Sequence, residues 1–145
     1  MSFAMTTAER EAFLGDVHVG IIAIAGGARG PLAVPIWYSY ENGEIQVITD
    51  GDSQKGKLIA RHRRFSLCAQ TETAPYRYVS VEGPVTSIEP VDVERHLRPM
   101  ARRYLGVAGG DRYVETTGGQ AAREGTLTIR MRPERWLTVD YSKRG

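Results

Sequence analysis

Residues 76–88 are the longest strand-like stretch in the chain. Tyr78, Ser80 and Glu82 fall on one side, with Val79, Val81 and Gly83 on the other. That alternation marks a strand with one buried face, and the rest of the chain has to supply the sheet around it. Val17–Ala25, Pro31–Tyr40, Glu44–Thr49, Arg64–Gln70, Thr126–Met131 and Arg135–Val139 read as its partners. Pro35 demands an edge, a bulge or an irregular stretch. Gly26-Gly27-Ala28-Arg29-Gly30 turns the chain. Glu41-Asn42-Gly43-Glu44 signals a hairpin, because Asn-Gly tolerates the positive φ of a type I′ turn. Gly83-Pro84 is expected to bend the long strand.

Helices interrupt this pattern. Thr6 and Glu9 complete a capping box ahead of a first helix that Gly15-Asp16 ends. Lys55–Arg63 reads as a helix with Leu58 and Ile59 inward. Pro90–Tyr104 is expected to be helical and kinked near Pro99, with a second helical piece, Asp111–Thr117, after Gly109-Gly110. Six to seven antiparallel strands on short turns give an α+β chain built as a small, Greek-key-like barrel with peripheral helices at its open ends. At 145 residues, without repeats or a linker, residues 1–145 are expected to form a single domain.

The formal charge of +2 is too small to imply nucleic-acid binding. The basic residues cluster at Arg61-His62-Arg63-Arg64, Arg102-Arg103 and Lys143-Arg144, which fits a small anionic ligand better than a polyanion. A lone cysteine, Cys68, excludes an intrachain disulfide and points to a reducing compartment. No apolar run is long enough for a membrane span, and no secretory leader is visible, so a cytoplasmic location is expected.

The candidate chemistry gathers at Asp50-Gly51-Asp52-Ser53-Gln54-Lys55-Gly56-Lys57, where a strand runs out and a helix begins. Helix N-termini present free N–H groups and partial positive charge, so a hydroxyl and two ammonium groups there suit a phosphate. The competing reading is a Ser53 N-cap followed by solvated lysines. His18, His62 and His96 lie at no metal-ligand spacing and read as structural or solvated. Cys68 lies in an apolar strand and reads as buried rather than nucleophilic. No G-x-S-x-G motif is present, the glycine-rich turn at 26–30 joins two strands and is no dinucleotide fingerprint, and Gly109-Gly110-Asp111 lacks calcium-loop spacing. Trp37, Tyr38, Tyr40, Tyr76 and Tyr78 are either core and rim residues or a platform for a flat heterocycle. A phosphate site beside such a platform reads as a flavin-like cofactor site.

The segment Gly51-Asp52-Ser53-Gln54-Lys55-Gly56 resembles the Ser-Arg-Lys-Gly phosphate segment of the pyridoxamine-phosphate-oxidase-like, FMN-binding split-barrel family, with Gln54 in place of its Arg. Arg77-Tyr78-Val79-Ser80-Val81-Glu82-Gly83 is similar to that family's Arg-Gln-Val-Arg-Val-Glu-Gly strand, with Tyr78 in place of its flavin-contacting Gln. The order of elements matches over nearly the whole chain. The oxidase's Arg-x-His-Asp-Arg substrate region has no counterpart, which disfavours a pyridoxamine oxidase. Ser53-Gln54-Lys55, the helix 100–106 and the ending 130–141 look like the actinobacterial branch that uses the deazaflavin coenzyme F420.

The resemblance implies a homodimer with the cofactor in a groove between subunits. Ser53, Gln54 and Lys55 would hold the phosphate, with Lys57 and Thr49 nearby. Backbone of Val34, Pro35 and Ile36 would line the ring edge, and Tyr78 would contact the ring. By charge, Lys57, Arg61 and Arg64 would meet the acidic tail of the deazaflavin. The expected reaction is hydride transfer between reduced deazaflavin and a small organic substrate, with Tyr78 and Tyr141 as candidate proton donors. The alternatives are an FMN-dependent oxidase or reductase of the same fold, and a non-catalytic flavin, deazaflavin or haem binder that would need one of the three histidines as iron ligand. No metal site is expected.

Overall fold

The computed structural model describes residues 2–143. The order of elements is α1 (Thr7–Gly15), β1 (Gly20–Gly26), β2 (Arg29–Ile36), β3 (Tyr38–Glu41), β4 (Glu44–Asp50), α2 (Gln54–His62), β5 (Arg64–Gln70), β6 (Arg77–Pro90), α3 (Arg98–Arg123), β7 (Thr126–Met131) and β8 (Arg135–Asp140). A π-turn, Val93–Leu97, leads into α3, and a 3-10 turn, Tyr141–Lys143, follows β8. The strands join in the order β2-β1-β5-β6-β7-β4-β3, with β8 also on β6, and every pairing is antiparallel. This is an α+β split barrel.

The long strand β6 ties the sheet together. Up to Pro84 it pairs with β5 and β8, and from Val85 onward it pairs with β7. The change of partners falls at Gly83, where a Cβ would lie 1.8 Å from the Arg132 carbonyl oxygen; only glycine lets β6 and the β7–β8 connection approach this closely. The period-two reading of β6 holds: Val79, Val81 and Gly83 are buried, while Tyr78, Ser80 and Glu82 face outward. The interior is filled by Ile22, Ile24, Leu67, Val79, Val81, Ile45, Val47, Ile129 and Met131. Ile59 of α2 and Leu14 of α1 plug it from outside the sheet. The capping box at Thr6 and Glu9 forms as expected, with Glu9 N–H donating to Thr6 Oγ1 (3.2 Å) and Thr6 N–H to Glu9 Oε1 (2.8 Å).

Three sequence expectations need correction. The strand expected over Pro31–Tyr40 is two strands broken at Trp37, which raises the count to eight. Trp37 is drawn out of the strand by stacking on Tyr104, with centroids 5.0 Å apart and planes at 6°. Tyr38 turns into the core, where its hydroxyl donates to the Leu14 carbonyl (2.9 Å). The kink expected near Pro99 lies at Gly106 (φ 78°, ψ 171°). Pro99 occupies the first turn of α3, where no N–H is needed, and the piece expected at Asp111–Thr117 is the continuation of α3 beyond that kink. The first strand begins at Gly20 rather than Val17.

Candidate functional site

The site predicted from sequence sits where the barrel opens. Along the β3–β4 ladder, Tyr38 faces Val47. Two more steps of that register would set Ile36 opposite Thr49. Instead, β2 leaves for β1, where Ile36 faces Gly20 and Val34 faces Ile22. The far edge of β4 continues on β7 through Thr49 and Asp50. The edges of Val34–Ile36 and of Thr49 that would have paired with each other therefore part, and this is the split. Pro35, which has no N–H to lose, is on the free edge strand, as its position in sequence demanded.

Helix α2 begins at this opening. Ser53 caps it: its Oγ accepts the Gly56 N–H (3.0 Å) and donates to the Asp50 carbonyl (2.6 Å). The Thr49 Oγ1 lies 3.5 Å from Ser53 Oγ. The first-turn N–H groups of Gln54 and Lys55 have no acceptor among the described residues, and no acidic side chain lies in that turn. The Asp50 carboxylate accepts the Asp52 N–H (2.8 Å) instead. Gly56 is buried beneath the turn, and a Cβ there would come within 2.3 Å of the Asp50 carbonyl oxygen. The loop is folded so tightly that only glycine passes, which leaves its amides available to a ligand. A phosphate fits this donor set. Ser53 is the N-cap that one sequence reading gave, and it stands beside two unspent N–H groups. Lys57 and Arg61, four residues apart, share the exposed face of α2.

Other candidates lie elsewhere. Arg64 is already engaged, donating to Glu134 (2.6 Å) with Glu82 at 4.0 Å, so it is not a free cation for an acidic tail. Tyr78 faces Val139 at the start of β6, and the Tyr141 N–H donates to the Tyr76 carbonyl (3.0 Å). Asp50, in contrast, faces Thr126 beside the other end of β6. Through Ile22 and Leu67, the Val34 edge of the split is in register with Val81 of β6, three residues from Tyr78. The aromatic platform also divides: Trp37 is stacked inside the fold, Tyr38 is in the core, and Tyr40 meets Trp136 edge-on.

The remaining sulfur and imidazole groups stay apart. His18 stacks on Phe13 (4.3 Å), and burial pushes the Cys68 thiol up from its ordinary value. Among the described residues no three His, Cys, Asp or Glu side chains gather to hold a metal, and no helix is long and apolar enough to cross a membrane.

Sequence reasoning missed one feature. A cavity of about 350 Å³ lies between the outer face of β3, β4 and β7 and the start of α3, with Ser39, Gln46, Arg95, His96, Arg103 and Arg130 among its walls. The basic run Arg95, His96, Arg98, Arg102, Arg103 was the signal that could have found it.

A family model described as pyridoxamine 5′-phosphate oxidase matches residues 6–140. Among solved structures, a conserved hypothetical protein from Mycobacterium tuberculosis is 25% identical, with a TM-score of 0.75, and the match covers 97% of this chain and 88% of that one. An F420 reductase is 20% identical, with a TM-score of 0.70 over 88% of this chain and 94% of that one. An FAD-binding protein from Mesorhizobium loti is 16% identical, with a TM-score of 0.65 over 93% and 94%. No functionally curated protein matches the chain.

Proposed function

This chain belongs to the pyridoxamine 5′-phosphate oxidase family, and on that premise we propose that it is an oxidoreductase working through a flavin-type cofactor, in particular the deazaflavin coenzyme F420. The observation that carries the proposal is the coincidence of the split with the start of α2. Ser53, Gln54 and Lys55 would hold the phosphate, with Thr49 and Lys57 beside them. The backbone of Val34, Pro35 and Ile36 would border the ring. Arg61 shares an exposed helix face with Lys57 and is placed to meet an acidic tail. The F420 reductase of the same fold, at 20% identity, supports the choice of deazaflavin. When bound, such a cofactor supplies the hydride chemistry. The protein's share is to bind, orient and exclude water.

The same geometry supports a homodimer. The outward face of β1, β2, β5, β6 and β8 carries small residues, Ala23, Ala33, Ser66, Cys68 and Ser80, while Ile21 and Leu137 on that face remain 39% and 61% exposed. Small side chains let two sheets approach closely. Tyr78 or Tyr141 would hold a proton for the reaction.

A fluorescence-quenching titration with coenzyme F420, run beside one with FMN, tests the reading. Micromolar or tighter binding of the deazaflavin, lost with Lys55→Ala by about 10- to 100-fold for a charge-assisted phosphate contact, supports it. Preferential FMN binding moves the protein to the flavin enzymes of the same fold. If neither molecule binds, the proposal fails.

A further inference from the structure

The cavity between α3 and the outer face of β3, β4 and β7 has two kinds of polar wall. One kind is closed. His96 is only 4% exposed. Its Nδ1 accepts the Asp92 N–H (3.0 Å), so in the neutral ring the proton is on Nε2. That Nε2 and the Arg103 Nε are buried without partners and present almost no surface to the cavity. The Arg103 Nη atoms donate to the carbonyls of Gly15 (3.1 Å) and Asp16 (2.7 Å), and Arg130 is spent on Glu89 (2.7 Å). These side chains build the wall and do not meet an occupant.

The other kind is open. Ser39 and Gln46 stand directly opposite each other on the β3–β4 ladder, so their side chains leave one face of the sheet about 5 Å apart. Both line the cavity. Ser39 is only 7% exposed, yet neither its hydroxyl nor the Gln46 carboxamide has a hydrogen-bond partner among the described residues. Neither group is sealed in, unlike the His96 and Arg103 nitrogens, and the cavity is the space they reach. A hydroxyl this buried and without a partner in the fold takes one from whatever fills the cavity.

Charge sets a second condition. Arg95, Arg103 and Arg130 are matched by Glu41, by Glu89 and, in the adjoining hollow, by Glu44. Three positive groups against three negative ones leave no surplus, so the cavity favours an uncharged occupant. Pro99 and Met100 supply an apolar side, and about 350 Å³ is room for a small ring compound.

We propose that this cavity binds a small neutral molecule with an amide edge, a C=O beside an N–H, which pairs in plane with the Gln46 carboxamide, shares a third hydrogen bond with Ser39 Oγ and lays its apolar body against Pro99 and Met100. A carboxamide offers an acceptor and a donor side by side. It therefore complements another amide fully, whereas a carboxylate lacks the donor and an ammonium lacks the acceptor. A site built to bond an N–H discriminates against the analogue without one. The site stands whether or not the split takes a deazaflavin.

The test is run on the full chain without added cofactor, so its failure is separable from failure of the cofactor reading. Benzamide is titrated while the Gln46 side-chain N–H signals are followed by NMR, with acetophenone as the isostere that lacks the N–H and benzoate as the charged one. The expected result is saturable benzamide binding that moves the Gln46 signals, and binding of acetophenone and benzoate weaker by about tenfold. Gln46→Leu keeps the volume and removes both ends of the amide, and it should lose at least about tenfold in benzamide affinity. Ser39→Ala should lose about threefold, for one neutral bond, with no fall in Tm, because the hydroxyl has no partner in the fold to lose. No saturable binding of benzamide would mean that water alone fills the cavity and would overturn the proposal. Equal binding of benzamide and acetophenone, unmoved Gln46 signals, or unchanged affinity in both variants would overturn it as well.

Discussion

The split and the cavity are both polar openings in the same barrel, yet they are built in opposite ways. At the split, the donors come from one short run, Thr49 to Lys57, and the turn orders itself: Ser53 caps, Asp50 accepts, and Gly56 makes room, while the Gln54 and Lys55 N–H groups stay open. At the cavity, the donors come from the π-turn, α3 and β7, and the fold leaves two of them unsatisfied. A site made from contiguous sequence is organised before any ligand arrives. A cavity walled by distant segments exists only once the tertiary fold has brought them together.

The largest expected effect breaks the first half of that contrast. In Gly56→Val, the new Cβ meets the Asp50 carbonyl oxygen, 2.3 Å away, and Gly51 Cα, 3.0 Å away. Both are backbone atoms and cannot rotate aside, so the turn itself must move. A stability loss of about 1–3 kcal/mol follows from overpacking, together with loss of measurable cofactor binding. Thermal melts and the fluorescence titration check both. A Gly56→Val protein that binds as wild type would mean that the turn is not the cradle. Lys55→Ala, with its smaller effect on affinity alone, separates the lysine's charge from the shape of the turn.

How much of this was readable beforehand follows the same contrast. The capping box at Thr6 and Glu9, the Asn42-Gly43 hairpin with φ of 53° and 76°, and the alternation through β6 are local rules, and all three hold. The Ser53–Gly56 turn is local too, and it was legible down to the hydroxyl. What escaped was set by tertiary partners. Nothing within Pro31–Tyr40 shows that Trp37 will stack on Tyr104, which lies 67 residues later. Nothing near Pro99 shows that the helix will bend at Gly106, where Asp111 folds back to Arg98 and Arg102 (both 2.8 Å). His96 reads from sequence as structural or solvated; the approach of Thr128 and Asp92 makes it structural, a buried ring with its tautomer fixed.

A smaller effect sharpens the second half of the contrast. Burial lowers the His96 pKa below its ordinary value of 6.5; Glu89 and Asp92 oppose the shift, while Arg130 and Arg95 add to it. The native state therefore takes up the proton less readily than the unfolded chain. The stability contributed is present above the ordinary value and is lost as pH falls below it. Protonation would also put a hydrogen on Nδ1, opposing the Asp92 N–H. Thermal melts should show a fall in Tm below about pH 6.5, and His96→Gln should flatten it. An unchanged slope in His96→Gln would assign the acid sensitivity to other groups.

The smallest effect concerns the clasp across the bend in α3. Past Gly106, α3 doubles back, and Asp111 accepts from Arg102 and Arg98 on the first limb. Those two guanidiniums, Arg102 foremost, hold the Asp111 carboxyl down to about 2. A depressed carboxylate contributes stability above its ordinary value of 3.8, and that contribution is lost as pH falls through about 2. Asp111→Asn should lower Tm slightly at neutral pH, with the difference from wild type closing as the solution is acidified toward that value. The pairs are solvent-exposed and screened, so raising the salt should shrink the difference as well. The split shares no residue with this clasp, so cofactor affinity should stay constant in Asp111→Asn. A loss of cofactor affinity in Asp111→Asn would mean that α3 braces the whole barrel, and the split would then not be independent of it.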